Sequence, residues 1–276
     1  MAKTSNLIIT KYLPVLGTIL ALGAIGANCA NADALDNIMK VKKIRIAIDP
    51  AAPPYSIKDS GTSFSGSEVE VAQLLASDFG VELEIVPTTP ANRVPYLMTD
   101  KADLVISTLS ITPEREKVID FSKPYSGIQI VVGAPKNAPI KSLNDLVGKR
   151  VGTVRGSTND AEVTKAAIAG TNIIRFDDDA TTITALLSGQ ADAYATAPAL
   201  LASVNRQNPP QPFEPKIVIK TNLTGIGLRK NEPALKEKIN AWVQANIKNG
   251  KLNGIYKKYF LTDLPSEVSQ AAGATN

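Results

Sequence analysis

The 276-residue sequence contains no histidine and a single cysteine, Cys29. Zinc sites, iron–sulfur sites and imidazole-based catalysis therefore lack their usual ligands and bases. This weighs against an enzyme, and we expect neither a metal nor a cofactor. Aromatic residues make up only 5% of the chain, and the formal net charge of +4 is small and dispersed. No cluster of basic residues stands beside aromatic ones, so we do not expect a nucleic-acid partner.

Residues 1–32 have the pattern of a secretory signal peptide. Lys3 and Lys11 precede an apolar, Gly/Ala-rich run from Tyr12 to Ala27, and Ala30-Asn31-Ala32 supplies an A-x-A cleavage site. The alternative is a membrane anchor, but the Gly/Ala content makes this run a poor spanning helix. We therefore expect export and a periplasmic location.

Cys29 leaves a second alternative at this end of the chain, because it could accept a lipid anchor. Against this, Asn28 stands where a small residue is expected and Gly26 where leucine is usual. Cleavage after Ala32 would remove Cys29 and leave a mature chain without disulfides.

The mature chain begins with alternating strand and helix patterns. Lys43–Asp49 alternates with a period of two, Val69–Phe79 has helical spacing, and Val81–Val86 is a second strand. A short helix over Ala91–Thr99 then leads to an apolar strand at Asp103–Ile106. This order predicts an α/β fold with a parallel sheet.

The same order of elements returns near residue 148. Gly148–Val154 is a strand, Asp160–Ala169 a helix and Asn172–Arg175 another strand, and Ala191-Asp192 repeats the place of Ala102-Asp103. We therefore predict two related lobes. Their bounds are 33–132 with 224–276 for lobe 1, 136–220 for lobe 2, and connecting hinges at about 133–135 and 221–223.

Apolar residues at helical spacing follow the second connection. Leu235, Ile239, Trp242 and Val243 belong to this pattern, and we expect the helices at this end to pack on lobe 1. Residues after Leu264 are small and polar, so we expect the tail to fray.

The segment Ser107–Arg115 is the leading candidate for a binding site. Ser107, Thr108 and Ser110 follow a strand, and Thr112 and Pro113 suit the N-cap and first position of a helix. Hydroxyls, free N–H groups and a guanidinium would then meet at a strand end, where a carboxylate can be held. The alternative for Arg115 is a solvated helix arginine paired with a neighbouring glutamate.

The turn Gly156-Ser157-Thr158 occupies the corresponding place in lobe 2. Ser157 or Thr158 could simply cap a helix, or both could face the first turn across a cleft, with Gly156 allowing a close backbone approach. The segment Gly152–Gly156 lacks the glycine and lysine pattern of a nucleotide site.

Three other charged positions have two interpretations each. Asp49 and Arg155 end the first strand of each lobe and could set side-chain selectivity or form surface ion pairs, and Arg93 has the same ambiguity. Asp177-Asp-Asp179 lacks the spacing of a calcium loop and is interpreted as an acidic turn.

These motifs together resemble the periplasmic solute-binding proteins of ABC transporters, amino-acid type (family 3). The resemblance spans roughly Lys42 to Phe260. Its carriers include Pro54-Tyr55-Ser56, Asn92-Arg-Val-Pro95, Ser107–Arg115, Asp120–Tyr125, Gly148–Gly152, Gly156-Ser-Thr158 and Gly250–Gly254.

The resemblance implies the type II architecture of this class, two Rossmann-like α/β lobes joined by two hinge strands and closing on a small ligand. Arg115 would bind an α-carboxylate with Thr108, Ser110 and Thr158. The rest of the pocket would be lined by Asp49, Ser107, Ser157 and Asn159, with Arg93 directed at the ligand side chain.

Two departures from the family pattern bear on the ligand. Ala197 stands where an aspartate usually pairs with the α-ammonium, and Ala52 replaces a common aromatic. Burial of an ammonium group without a carboxylate is costly, so a standard amino acid is in doubt.

The resulting hypothesis is a monomeric, non-enzymatic receptor that delivers a small carboxylate-bearing ligand to an inner-membrane ABC permease. The alternatives are an enzyme similar to the cyclohexadienyl dehydratases and a periplasmic sensory subunit.

Overall fold

The structure is a computed structural model that describes residues 1–2, 34–59 and 61–274. Residues from 34 onward belong to one unit, Ala32–Asn276, and nearly all of a separate unit, Met1–Asn31, lies outside the described residues. The predicted signal peptide and Cys29 therefore also lie there. Among the helices described, none has the length and apolar character needed to cross a bilayer.

The described chain contains helices and strands in alternation. The helices are α1 Ala34–Val41, α2 Ser67–Phe79, α3 Arg93–Met98, α4 Pro113–Glu116, α5 Thr158–Ala166, α6 Asp179–Leu187, α7 Pro198–Asn205, α8 Pro233–Lys248, α9 Lys251–Phe260 and α10 Ser266–Ala272. The strands are β1 Lys43–Ile48, β2 Ala51–Ala52, β3 Ser56–Lys58, β4 Phe64–Ser65, β5 Glu82–Pro87, β6 Leu104–Val105, β7 Asp120–Pro135, β8 Arg150–Val154, β9 Asn172–Phe176, β10 Ala193–Thr196 and β11 Phe213–Leu228.

The main sheet has eight strands in the order β5-β1-β6-β11-β7-β10-β8-β9. The strands β5, β1 and β6 are parallel, and so are β9, β8 and β10. We call these triplets, with the helices between their strands, the first half and the second half. Both have the local strand order second-first-third, so the predicted α/β fold with an internal repeat is confirmed.

One ion pair repeats in both halves at the same place. The Asp103 carboxylate accepts the backbone N–H of Arg45 at 2.8 Å and its Nη2 at 2.7 Å. The Asp192 carboxylate accepts the backbone N–H of Arg150 and its Nη2 at the same two distances. Each pair ties the first strand of a half to the start of its third strand.

The long antiparallel strands β7 and β11 run through both halves. Gly133 of β7 is paired with Tyr194 of β10, which places residues 133–135 alongside the second half. Residues 221–223 are instead opposite 127–129. We therefore propose that the chain crosses between the halves at 127–129 and 221–223, earlier in β7 than the hinge proposed from sequence.

The hydrophobic core of the first half includes the C-terminal helices. Ile46 and Leu75 share a buried cluster with Ile239 and Trp242 of α8. The prediction of a frayed tail is wrong for Ser266–Ala272, because these residues form α10 and bury Val268 completely. One turn or two of helix gives too few apolar positions for the pattern to stand out in the sequence.

The repeated ion pair predicts unequal costs for two matched substitutions. The Asp103 side chain is 4% exposed and the Asp192 side chain 34% exposed. We expect Asp103→Ala to lower the free energy of unfolding by about 2–3 kcal/mol and Asp192→Ala by about 1 kcal/mol, because water replaces a lost partner only at the exposed site. Urea unfolding followed by circular dichroism measures both, and equal losses would contradict the interpretation.

Candidate functional site

A cavity lies between the two halves. Most of the residues predicted for the site line it. These are Asp49, Arg93, Thr108, Ser110, Ser157, Thr158 and Asn159. The remaining lining residues are Ala52, Tyr55, Pro90, Ile128, Val154, Asp179 and Leu200. Tyr55 supplies an aromatic ring three positions after Ala52.

The segment Ser107–Arg115 has the local structure expected from its sequence. It follows β6, Thr112 is the N-cap of α4, and the Thr112 hydroxyl accepts the backbone N–H of Arg115 at 3.3 Å. Ser110 is bridged to Thr224 of β11, which fixes the turn beside the sheet. Thr108 has a φ of 46°, a left-handed conformation that costs free energy for a β-branched residue.

Arg115 does not line the cavity, but it bonds to Ser110 and Thr158, which do, and it joins the two halves. Its Nη1 donates to the Ser110 carbonyl at 2.8 Å and to the Thr158 hydroxyl at 3.4 Å, and its Nη2 donates to the Gly156 carbonyl at 3.3 Å. The Thr158 hydroxyl also donates to the Ser110 hydroxyl at 2.9 Å. These bonds leave the Nε–H of Arg115 without an acceptor among the described residues, so the guanidinium can still bind an anion.

Gly156 brings the second half close to the first. Its φ is 73°, and a Cβ added there would lie 2.8 Å from the Cα of Ala91. Only glycine combines this backbone conformation with so close an approach. The close approach predicted for Gly156 is therefore present.

Arg93 is a buried cation beside the cavity. Its side chain donates from Nη1 to the Ser107 carbonyl at 2.5 Å and from Nε to the Pro90 carbonyl at 3.2 Å, and the residue is 2% exposed. No described carboxylate lies within 4.0 Å of the guanidinium of Arg93 or of Arg115.

Burial lowers the pKa of Arg93. Burial and the charge of Arg93 lower the pKa of Arg115 to about 9, so Arg115 remains charged at neutral pH.

Two other residues predicted for the site do not line the cavity. Ser107 lies behind the cavity, where its hydroxyl accepts the Asp49 N–H at 3.1 Å. Arg155 lies outside the lining, because its side chain is 58% exposed and 3.8 Å from Asp177. The surface ion pair that we considered for Arg155 is therefore the arrangement in the structure. Ala197 is buried at the N-terminus of α7 and does not line the cavity.

Asp179 is a site residue that sequence reasoning missed. Asp178 caps α6 by accepting the Thr181 N–H at 2.7 Å, as an acidic turn would. Asp179 instead turns inward, is 6% exposed and accepts a hydrogen bond from the Tyr194 hydroxyl. Burial raises the pKa of Asp179 to about 7. Helical spacing in the sequence could have indicated that Asp179 is buried, because Asp179, Ile183 and Leu186 share the buried face of α6.

Glu68 is a second missed residue, and it supports the site from behind. Its carboxylate accepts the Tyr125 hydroxyl at 2.5 Å, and its backbone N–H donates at 2.9 Å to the carbonyl of Tyr55, a lining residue of the cavity. Burial raises the pKa of Glu68 to about 7. The sequence could also have indicated that Glu68 is buried, because it falls on the apolar face of α2 with Ala72 and Leu75.

The raised pKa of Glu68 predicts a pH-dependent stability. The folded state binds this proton more tightly than the unfolded state, so the stability that Glu68 contributes is lost as the pH rises from about 4.5 through 7. Relative to Glu68→Gln, the wild type should lose roughly 3 kcal/mol of unfolding free energy between pH 4 and pH 8. Urea unfolding at each pH measures the difference.

Glu70 on the same helix serves as the matched control. Partial burial of Glu70 is outweighed by hydrogen bonds from Lys258 and Tyr259, which lower its pKa. Glu70→Gln should therefore show a difference of the opposite sign. Parallel pH profiles for the wild type and Glu68→Gln would contradict the assignment.

Known proteins are similar to this chain over nearly its whole length. Residues 44–262 match the family described as bacterial extracellular solute-binding proteins, family 3. The L-cystine-binding protein TcyJ of Escherichia coli K12 is 30% identical, over 95% of this chain and 99% of that protein. The L-arginine-binding protein of Pseudomonas aeruginosa is 29% identical, over 88% of this chain and 97% of that protein.

Solved structures agree with the sequence comparison. The solute receptor for L-cysteine of Neisseria gonorrhoeae is 31% identical, with a TM-score of 0.76 over 82% of this chain and 93% of that one. The fold is therefore that of the type II periplasmic amino-acid-binding proteins, and the curated relatives are binding proteins rather than enzymes. The repeated α/β halves, the cavity between them and these likenesses together show that the chain belongs to family 3 of the bacterial extracellular solute-binding proteins.

Proposed function

We propose that this solute receptor binds an amino acid or a closely related carboxylate in the cavity between its halves and delivers it to an ABC permease. The observation that carries the proposal is the position of Arg115. Its guanidinium bonds to Ser110, which follows the first half, and to Thr158 and Gly156 of the second half, and its Nε–H has no acceptor among the described residues.

A carboxylate suits this position for an electrostatic reason. Arg93 and Arg115 are two cations close enough to lower the pKa of Arg115, and neither is in an ion pair with a described carboxylate. An anion placed beside Arg115 would reduce their repulsion and accept charge-assisted hydrogen bonds. The hydroxyls of Ser110 and Thr158 would complete the binding group.

Closure of the two halves would follow from the same contacts. A ligand that touches both sides of the cavity binds the closed arrangement better than an open one, and thereby shifts the equilibrium toward it. The proposed crossings at 127–129 and 221–223 would act as the hinges. Ala52 and Tyr55 already pack with Leu200 and Leu201 of the second half in one buried cluster.

The partner and the location rest on the family. Family 3 consists of extracellular solute-binding proteins, which supports export of this chain to the periplasm through the sequence pattern at residues 1–32. Its curated relatives include binding proteins of ABC transporters. We infer an inner-membrane permease as the partner and a monomeric receptor as its form.

Substitution of Arg115 tests the proposed function. At a ligand concentration one hundred times the Kd, binding should stabilise the wild type by about 2.7 kcal/mol and raise its Tm by roughly 5–10 °C. A panel of the standard L-amino acids and L-cystine identifies the ligand by thermal shift. Arg115→Ala should weaken binding roughly 100-fold to 1000-fold, because it removes charge-assisted bonds to the carboxylate.

The matched variant is Arg155→Ala, which removes an arginine of the same chain that the structure places on the surface. This variant should keep the shift of the wild type. An Arg115→Ala protein that keeps the ligand-induced shift of the wild type would contradict the proposal.

A further inference from the structure

The strands β7 and β11 have two different faces where the chain crosses between the halves. Thr221 is opposite Gln129 here, and Asn222 is opposite Ile128. Opposite residues of an antiparallel pair project to the same face of the sheet, and neighbours along a strand project to opposite faces. Thr221 and Gln129 are exposed, whereas Asn222 and Ile128 are buried. The crossing therefore has an outer face in contact with water and an inner face that is closed to it.

The inner face is the one that borders the cavity. Ile128 lines the cavity, and it belongs to the buried cluster in which Ala52 and Tyr55 pack with Leu200 of α7. Because this cluster joins the two halves, parting the halves would break it. Water would then reach the inner face of the crossing, where Asn222 lies beside Ile128.

Asn222 has a buried side-chain amide without a hydrogen-bond partner. The residue is 7% exposed, and its Nδ2 bonds to no acceptor within residues 34–59 and 61–274. Asn222 is not among the residues that line the cavity, so we do not assign a ligand as the acceptor. A buried donor that lacks an acceptor destabilises the arrangement in which it is buried.

The geometry of the sheet explains why the amide stays unpaired. Side chains of a strand stand roughly perpendicular to the sheet, whereas backbone carbonyls point within the sheet toward the partner strand. The neighbouring carbonyls are therefore directed away from Nδ2 of Asn222. The position opposite Asn222 on the inner face carries the apolar side chain of Ile128, which offers no acceptor.

Resting on the closure described in the proposed function, we propose that Asn222 opposes this closure and thereby sets the affinity of the receptor. The amide is buried and unpaired when the halves are together, and it is hydrated when they part. This difference favours the open arrangement, so a ligand must offset it before the halves close. Asn222 thus lowers the apparent affinity without touching the ligand, because only the closed fraction of the protein binds fully.

The test replaces the amide by apolar side chains. Asn222→Leu keeps the branched shape of asparagine, and Asn222→Val is smaller and has the β-branched form that strands favour. The matched control is Gln129→Met, which makes the same change from amide to apolar side chain on the exposed face of the same crossing. The Tm of each variant without ligand confirms folding.

Two measurements follow the effect. Small-angle X-ray scattering of each ligand-free protein reports the balance between open and closed arrangements. Isothermal titration reports the affinity for whichever member of the amino-acid panel gives the wild type its largest thermal shift.

We expect both Asn222 variants to have a smaller radius of gyration than the ligand-free wild type, closer to that of this structure. Their Kd should be about tenfold lower, because an unpaired buried amide disfavours the closed arrangement by a factor of this order. Gln129→Met should match the wild type in both measurements.

Three results would overturn the role of Asn222. Weaker binding by Asn222→Leu and Asn222→Val would mean that the amide donates to the ligand. A raised Tm with unchanged radius and Kd would mean that the amide is equally buried in both arrangements. A ligand-free wild type that already has the radius of the closed structure would leave no opening for Asn222 to favour.

None of these results touches the proposed function as long as Arg115→Ala abolishes the ligand-induced thermal shift. A shift that survives Arg115→Ala contradicts the proposed function instead. The scattering comparison needs no ligand, so it decides the role of Asn222 in either case.

Discussion

The contact of Arg115 with Thr158 and Ser110 is the interaction on which the rest of the site depends. Ser110 is fixed to β11, Thr158 begins α5, and one guanidinium reaches the carbonyl of the former and the hydroxyl of the latter. This arrangement needs the two halves to be close together. Gly156 permits the approach because it has no side chain to meet Ala91. The binding group that we propose for a carboxylate therefore exists only when both halves contribute to it.

The repeated α/β unit accounts for how such a group is built. Each half uses the same bidentate ion pair to hold its first and third strands, Arg45 with Asp103 and Arg150 with Asp192. The strand ends of both halves then face one cavity, and their loops carry the polar groups, as is usual at the carboxyl ends of parallel strands. Differences between equivalent loops set the polarity of the cavity, as Arg93 and Asp179 show.

The sequence predicted those structural elements that are determined by residues close together in the chain. The alternation in Lys43–Asp49 and the cap at Thr112 are set by neighbouring residues, and the structure confirms both. Burial of an acid is set by residues far away in the sequence. Tyr194 and the cavity wall enclose Asp179, and Tyr125 encloses Glu68, so neither could be recognised from its own segment. Arg155 shows the converse, because the end of a strand does not fix which way a long side chain turns.

A crystal structure of the protein with its bound ligand tests this account most directly. The account predicts a ligand carboxylate within about 3 Å of the Arg115 guanidinium and the Thr158 hydroxyl, the distance of a charge-assisted hydrogen bond. A carboxylate bound away from Arg115, or a ligand that contacts one half only, would contradict it.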